Sequence, residues 1–172
     1  MNVCNVHERR LGVSPAVAGA LIDRLAGPDD PLWPSDRWPP MRLDAPLAVG
    51  ARGGHGPVRY RVAAYEPGRR LRFEFEAGPF SSGLVGYHEF MVLDDGPAGA
   101  TLRHVIAARA LGAKRLAWPL VIRPLHDALL DDLLDRAERA ASGRDTGSRG
   151  WSPWVRLLRW MLARGRRRRR AG

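Results

Sequence analysis

The order of apolar and polar positions divides the chain into several alternating segments followed by one long helical stripe. Residues 2–12 (NVCNVHERRLG) read as a strand. Ser14 and Pro15 supply an N-cap and a first-turn proline for a short helix, with Val17, Ala20, Leu21 and Leu25 at helical spacing. Gly27-Pro28 stops it. Residues 29–46 (DDPLWPSDRWPPMRLDAP) are proline-rich and irregular, yet Trp33, Trp38 and Met41 predict that this loop packs against the body.

From Gly53 the period becomes two. Val58, Tyr60, Val62 and Ala64 alternate with Arg59 and Arg61, and after a turn at Glu66-Pro67-Gly68, Leu71, Phe73 and Phe75 alternate with charged residues. Val85–Leu93 and Thr101–Arg109 form two more strands around a turn at Asp94-Asp95-Gly96-Pro97, which predicts an antiparallel meander. The final stripe runs from about Lys114 to Ala141, with Leu129, Leu130, Leu133 and Ala137 on one side. Pro119 and Pro124 predict a kink or restart near Pro124, because proline removes a helical hydrogen bond and clashes with the preceding turn. Asp127, Asp131 and Asp135 line the other side and are expected to be solvated.

These elements predict an α+β domain over residues 1–141. A curved antiparallel sheet of about six or seven strands wraps a long C-terminal helix, with short helices near the N-terminus. Residues 142–150 (SGRDTGSRG) read as a flexible linker, and 151–172 as a basic amphipathic tail rich in Trp and Arg.

Three of the five histidines, His88, His104 and His126, fall on the apolar side of their segments. A buried imidazole needs hydrogen-bond partners, which leaves two readings open. Either each ring bridges buried groups along a sheet–helix seam, or the three line a cavity, with the Tyr60 hydroxyl on the same inward face. In a cavity, neutral imidazole suits acid–base work near neutrality. No His-x3-His spacing occurs and no nearby acid obviously shares the inward face, so neither a metal nor another cofactor is expected. Glu89 and Arg103 fall opposite the histidines and read as solvated strand surface. His55, flanked by Gly53, Gly54 and Gly56, reads as part of a mobile turn. That glycine-rich stretch lacks the phosphate-loop pattern, and no G-x-S-x-G elbow is present. The single cysteine, Cys4, forms no internal disulfide, which suits a reducing compartment.

GHGPVRYRVAAYEPGRRLRFEF (54–75), GLVGYHEF (83–90), TLRHVIA (101–107) and WPLVIRPLHDALLDDLLDRAE (118–138), in this order and spacing, resemble the START-like (SRPBCC) helix-grip superfamily that includes polyketide cyclases. The resemblance covers about residues 2–140 and implies a mostly hydrophobic cavity between sheet and helix. It implies no shared chemistry, because lipid carriers, receptors, cyclases and oxygenase subunits share this fold. The paired-histidine, single-carboxylate motifs of the iron-binding members are not recognisable. The expected occupant is a small hydrophobic molecule, lipid or polyketide-like, lined by Tyr60, Phe73, Phe75, His88, Phe90, His104, His126 and Leu130. The alternative is a polyketide cyclase or aromatase-type enzyme using His88, His104 or His126 as acid–base. A third reading is an interaction module with a closed cavity.

The net charge of +10 belongs almost wholly to the tail: residues 151–172 hold eight arginines and no acid. Ser152-Pro153 opens a helix in which Trp154, Leu157, Leu158, Met161 and Leu162 share one side while Arg156 and Arg159 face away. This is the pattern of an interfacial segment, with Trp154, Arg156, Arg159 and Trp160 as expected membrane contacts on an anionic surface. Nucleic acid is the weaker partner, because the tryptophans share a surface with aliphatic residues. No secretory leader is legible. The expected location is the cytoplasm, at the inner membrane face through the tail. No feature sets an oligomeric state.

Overall fold

A computed structural model describes residues 1–143 and 150–170 of the chain. The central part of the expected linker, residues 144–149, lies outside the described residues. Seven strands form one antiparallel sheet: β1 (Asn2–Arg10), β2 (Met41–Leu43), β3 (Arg52–His55), β4 (Val58–Glu66), β5 (Arg70–Phe75), β6 (Leu84–Asp94) and β7 (Ala100–Ala110). Their order is β1-β7-β6-β5-β4-β3-β2, so the N-terminal strand closes one edge and the shortest strand the other. The sheet is curved, stays open and grips a helix, as the alternation predicts.

Two strands have no legible alternation. β2 has three residues and lies inside the proline-rich stretch. β3 is RGGH, whose glycines disguise it as a turn. A Cβ on Gly53 would lie 2.0 Å from the Arg42 carbonyl oxygen, and one on Gly54 would lie 2.0 Å from that of Val58. The two glycines are there because neighbouring backbones approach too closely for a side chain. His55 is therefore a strand residue, paired with Met41 and Val58, and not part of a mobile turn.

After β7 the chain forms α2 (Lys114–Ala117), a π-helical turn (Trp118–Ile122) and α3 (Arg123–Ser142). The wide turn absorbs the missing N–H groups of Pro119 and Pro124, and the regular helix restarts at Arg123 with Pro124 in its first turn. Gly143, in the left-handed region at φ 68°, ends it. The short N-terminal helix α1 (Pro15–Ile22) is capped by the Ser14 hydroxyl, which accepts from Val17 N–H.

The leucine side of α3 (Leu129, Leu130, Leu133, Leu134, Ala137) packs with Tyr60, Val62, Leu71, Phe73, Phe90 and Leu102 of the sheet. A second apolar cluster, Val3, Leu84, Ile106, Ala110 and Trp118, fills the end beneath the π turn. The acidic side of α3 is not the solvated face that the spacing suggests. Asp127 accepts from Asn5 Nδ2 at 3.0 Å, and Arg9 donates to Asp135 at 2.7 Å and Glu138 at 2.6 Å. Edge strand β1 carries these partners on its inner face, so β1 covers the carboxylates. Glu89 is likewise not solvated surface: it is 3% exposed on the outer face of the sheet, held between Arg70 and Arg72.

The tail helix α4 (Pro153–Arg170) docks on the body. Asp132, 5% exposed, accepts from Arg37 Nη1 at 2.5 Å, Trp38 Nε1 at 2.7 Å and Trp151 Nε1 at 3.0 Å. Arg159 stacks on Trp38 and Trp151, its guanidinium carbon 4.2 and 3.9 Å from the ring centres, and donates to the Arg37 carbonyl at 2.5 Å. Val155 and Leu158 are buried beside it. Arg159 thus faces the protein, against the sequence expectation, because two tryptophan faces attract a guanidinium that also finds a carbonyl acceptor. Replacing Asp132 by Ala strands two indole N–H groups and a guanidinium. We expect a loss of about 2–3 kcal/mol in urea unfolding, together with greater exposure of Trp151 read by fluorescence.

Candidate functional site

Strand register places the sequence-singled histidines together. His88 of β6 is opposite Ile106 of β7, and Phe90 is opposite His104, so the two imidazoles are diagonal neighbours on the inner face. His7 of β1 is opposite His104 and extends the row to the sheet edge. His126, at the start of α3, lies over this row, its ring centre 5.1 Å from His104 and 5.7 Å from His7. Toward the other edge His88 meets Tyr60 edge-on at 4.9 Å, Tyr60 lies 5.8 Å from His55, and His55 lies 4.8 Å from Trp33.

All five histidines of the chain thus join one band across the interior. Sequence patterning finds three of them. It misses His7 because the apolar residues of its strand, Val3, Cys4 and Val6, do not alternate consistently. It misses His55 because glycines surround it.

The band crosses an apolar setting. His88 stacks on Phe73 at 4.9 Å and lies 5.4 Å from Phe75, while Phe90 meets His104 at 4.6 Å. His88 Nδ1 and His104 Nε2 are 3.4 Å apart and share a hydrogen bond. His55 Nδ1 is 3.3 Å from the Tyr60 hydroxyl. In contrast, His88 Nε2, His104 Nδ1 and both ring nitrogens of His126 have no hydrogen-bond partner among the described residues. The candidate lining residues Tyr60, Phe73, Phe90, Leu130, His88 and His104 are buried, and Phe75 and His126 are half-buried. In the tail, Trp154, Arg156 and Trp160 are exposed, unlike Arg159. Two hollows open at the surface, one of about 760 Å³ beside β2 and β3 and one of about 220 Å³ beside Asp132 and Arg136. Neither is lined by a histidine.

Burial sets the protonation of the band. It holds His88 and His104 well below the ordinary histidine range, and neighbouring imidazoles push the same way. His55 is lowered to about 3, first by burial and then by His126 and Arg59. His126 is lowered by burial, opposed by Asp127. Partial burial pushes the Asp127 carboxyl up, but contacts with His126, His7 and Asn5 outweigh it and keep the group ionised far into acid. His55, His88, His104 and His126 are therefore held toward the neutral form, beside a charged carboxylate at Asp127.

No family model matches the chain, and no curated protein matches it in sequence. Solved structures do. The chain is similar to truncated norcoclaurine synthase from Thalictrum flavum, with TM-score 0.61 and 14% identity over 83% of this chain and 96% of that one. It is similar to a protein from Nitrosospira multiformis, with TM-score 0.60 and 16% identity over 83% and 98%. It is also similar to CalU16 from Micromonospora echinospora, with TM-score 0.54 and 15% identity over 95% and 86%. The chain shares a helix-grip fold with these structures. Within that fold, the histidine band lies between the sheet and the gripping helix.

The band couples stability to pH. A histidine whose folded pKa is depressed takes up its proton in the unfolded chain first, so its stabilising contribution is complete above about pH 6.5 and is lost as pH falls. Each ring whose pKa is lowered in the folded state contributes up to about 1.4 kcal/mol per pH unit below that point. The unfolding free energy of the helix-grip domain is expected to drop between pH 7 and 5. His104→Phe is expected to flatten the slope by close to one proton, as read from urea unfolding at a series of pH values.

Proposed function

We propose that the helix-grip domain binds a small, largely apolar molecule between the sheet and α3, with its polar end at His88, His104 and His126. The observation that carries this reading is the set of ring nitrogens without a partner in an apolar interior. A buried polar group left unpaired costs about 1–3 kcal/mol, and a ligand oxygen or hydroxyl that pairs with it recovers that cost. Neutral imidazole offers one donor and one acceptor, so it can meet a carbonyl, a hydroxyl or a protonated carboxyl. The fold supports the reading too, since norcoclaurine synthase, an enzyme of small molecules by name, shares it.

Acid–base chemistry of the cyclase kind has its support at His126, which adjoins Asp127. Burial leaves His88 and His104 weak as bases. Native mass spectrometry of the full chain should reveal a retained molecule, and a medium-chain fatty acid or a naphthol should bind saturably. His104→Phe and His88→Phe, which keep ring volume and remove the polar atoms, should each weaken binding at least ten-fold. Unchanged binding in both variants, or no saturable binding of either probe, would overturn the reading.

The proposal includes a peripheral contact with anionic lipid through α4. Trp154, Leu157, Trp160 and Met161 are 43–51% exposed, and Leu116 and Leu120 of the neighbouring turn are 72% and 57% exposed. Trp154 Nε1 donates to the Leu120 carbonyl at 2.8 Å, which joins the two groups in one apolar surface. The segment itself carries only positive charge, with eight arginines and no acid in residues 151–172. Exposed indoles beside arginines suit the headgroup layer of an anionic membrane, where each cation gains about 1 kcal/mol. Among the described residues, no helix is long and apolar enough to cross a membrane. Replacing Trp154 and Trp160 together by Ser should lower partition onto phosphatidylserine-containing vesicles at least ten-fold. Equal partition of parent and variant would sink the idea.

A further inference from the structure

The geometry points to a divalent transition-metal site at His7, His126 and Asp127, on the edge of the histidine band. One ligand atom from each residue lies within 4.8 Å of the other two. His7 Nε2 is 3.0 Å from Asp127 Oδ1, and His126 Nδ1 is 3.8 Å from the same oxygen. Donors held at about 2.1 Å around one tetrahedral ion stand about 3.4 Å apart. The two measured separations bracket that value, so small side-chain rotations bring the donors onto a common centre.

A second observation is the hydrogen bonding around the cluster. Both ring nitrogens of His126 are buried without a hydrogen-bond partner among the described residues, and so is Asn5 Oδ1. Asn5 is 8% exposed, and its amide nitrogen is 3.0 Å from Asp127 Oδ1. A half-turn of that amide presents Oδ1 to the same centre as a further donor. Arg123 Nε, 3.5 Å from Asp127 Oδ2, occupies the outer carboxylate oxygen and leaves Oδ1 directed at the histidines.

Two imidazoles and one carboxylate suit zinc-class ions, not calcium or magnesium, which need more oxygen donors. Three protein ligands leave at least one position open to water or to a ligand oxygen, unlike a closed structural site. The Arg123 cation weakens the site for a dication. The side chains of His7, His126 and Asp127 are 16%, 13% and 34% exposed, so an ion enters from solvent. The site shares His126 with the proposal for the interior but adds His7, which that proposal does not use, so ion binding tested in His7→Gln and apolar-ligand binding tested in His88→Phe fail independently.

The test is titration of the full chain with Zn²⁺ by calorimetry, and with Co²⁺ by visible absorption. One ion per chain is expected, with affinity falling as pH drops and protons compete for the imidazoles. His7→Gln and Asp127→Asn should each lower affinity at least ten-fold, while His55→Gln should leave it unchanged. Circular dichroism of each variant separates loss of the ligand set from loss of the fold. Absence of binding by the folded parent, or equal affinity in parent and folded His7→Gln, would overturn the inference.

Discussion

The gripping helix can be buried only if its carboxylates are matched. α3 carries leucines on one side, but four of its acids also end up against protein: Asp127, Asp132, Asp135 and Glu138. An unpaired buried carboxylate costs several kcal/mol, so each needs donors from another part of the chain. Strand β1 brings Asn5, His7 and Arg9. The proline-rich loop brings Arg37 and Trp38, and the segment before α4 brings Trp151. The edge strand, the loop and the tail are arranged around the helix by this single requirement. The aromatic residues of the loop and tail then add packing and cation–π contacts to an arrangement that the carboxylates orient.

The same burial gives the interior its character. A sheet face made only of aliphatic residues would pack on α3 without penalty. Here four imidazoles and a tyrosine cross it, a fifth imidazole faces them from α3, and burial keeps the band's inner rings neutral. Neutral rings are modest bases and versatile hydrogen-bonding groups, so the interior is better suited to holding a polar end of an apolar molecule than to abstracting protons. Toward Asp127 the balance changes, because an ionised carboxylate and partly exposed rings make a place where charge is stabilised. The band thus runs from a dry, neutral centre to a wetter, anionic edge. On the proposed reading, these two ends serve different ligands.

Much of the domain was legible in the chain. Alternation at Val58–Val62, Leu71–Phe75, Val85–Leu93 and Thr101–Arg109 was enough for four central strands, and Pro124 marked where the long helix restarts. The inward placement of His88, His104 and His126 followed from the same periods. β2 and β3 were not legible, since three residues show no period and glycine carries no polarity signal. The burial of Glu89 and Asp135 was also hidden, as were the partners of Asp127. Periodicity assigns a residue to a face, but it does not say whether that face meets water or a matching cation.

By itself the sequence determined the sheet, the gripping helix and the basic character of the tail, because these depend on local period and charge. Which acids are buried, how His7 and His55 join the other three histidines, and which side of the tail helix turns outward were decided only by the tertiary structure. Each depends on strands and loops distant in sequence meeting across the sheet–helix interface. Arg159 shows the reason in one residue. On a helical wheel it belongs to the solvent side, yet two indole faces and a carbonyl from distant segments compensate for its lost hydration and turn it inward.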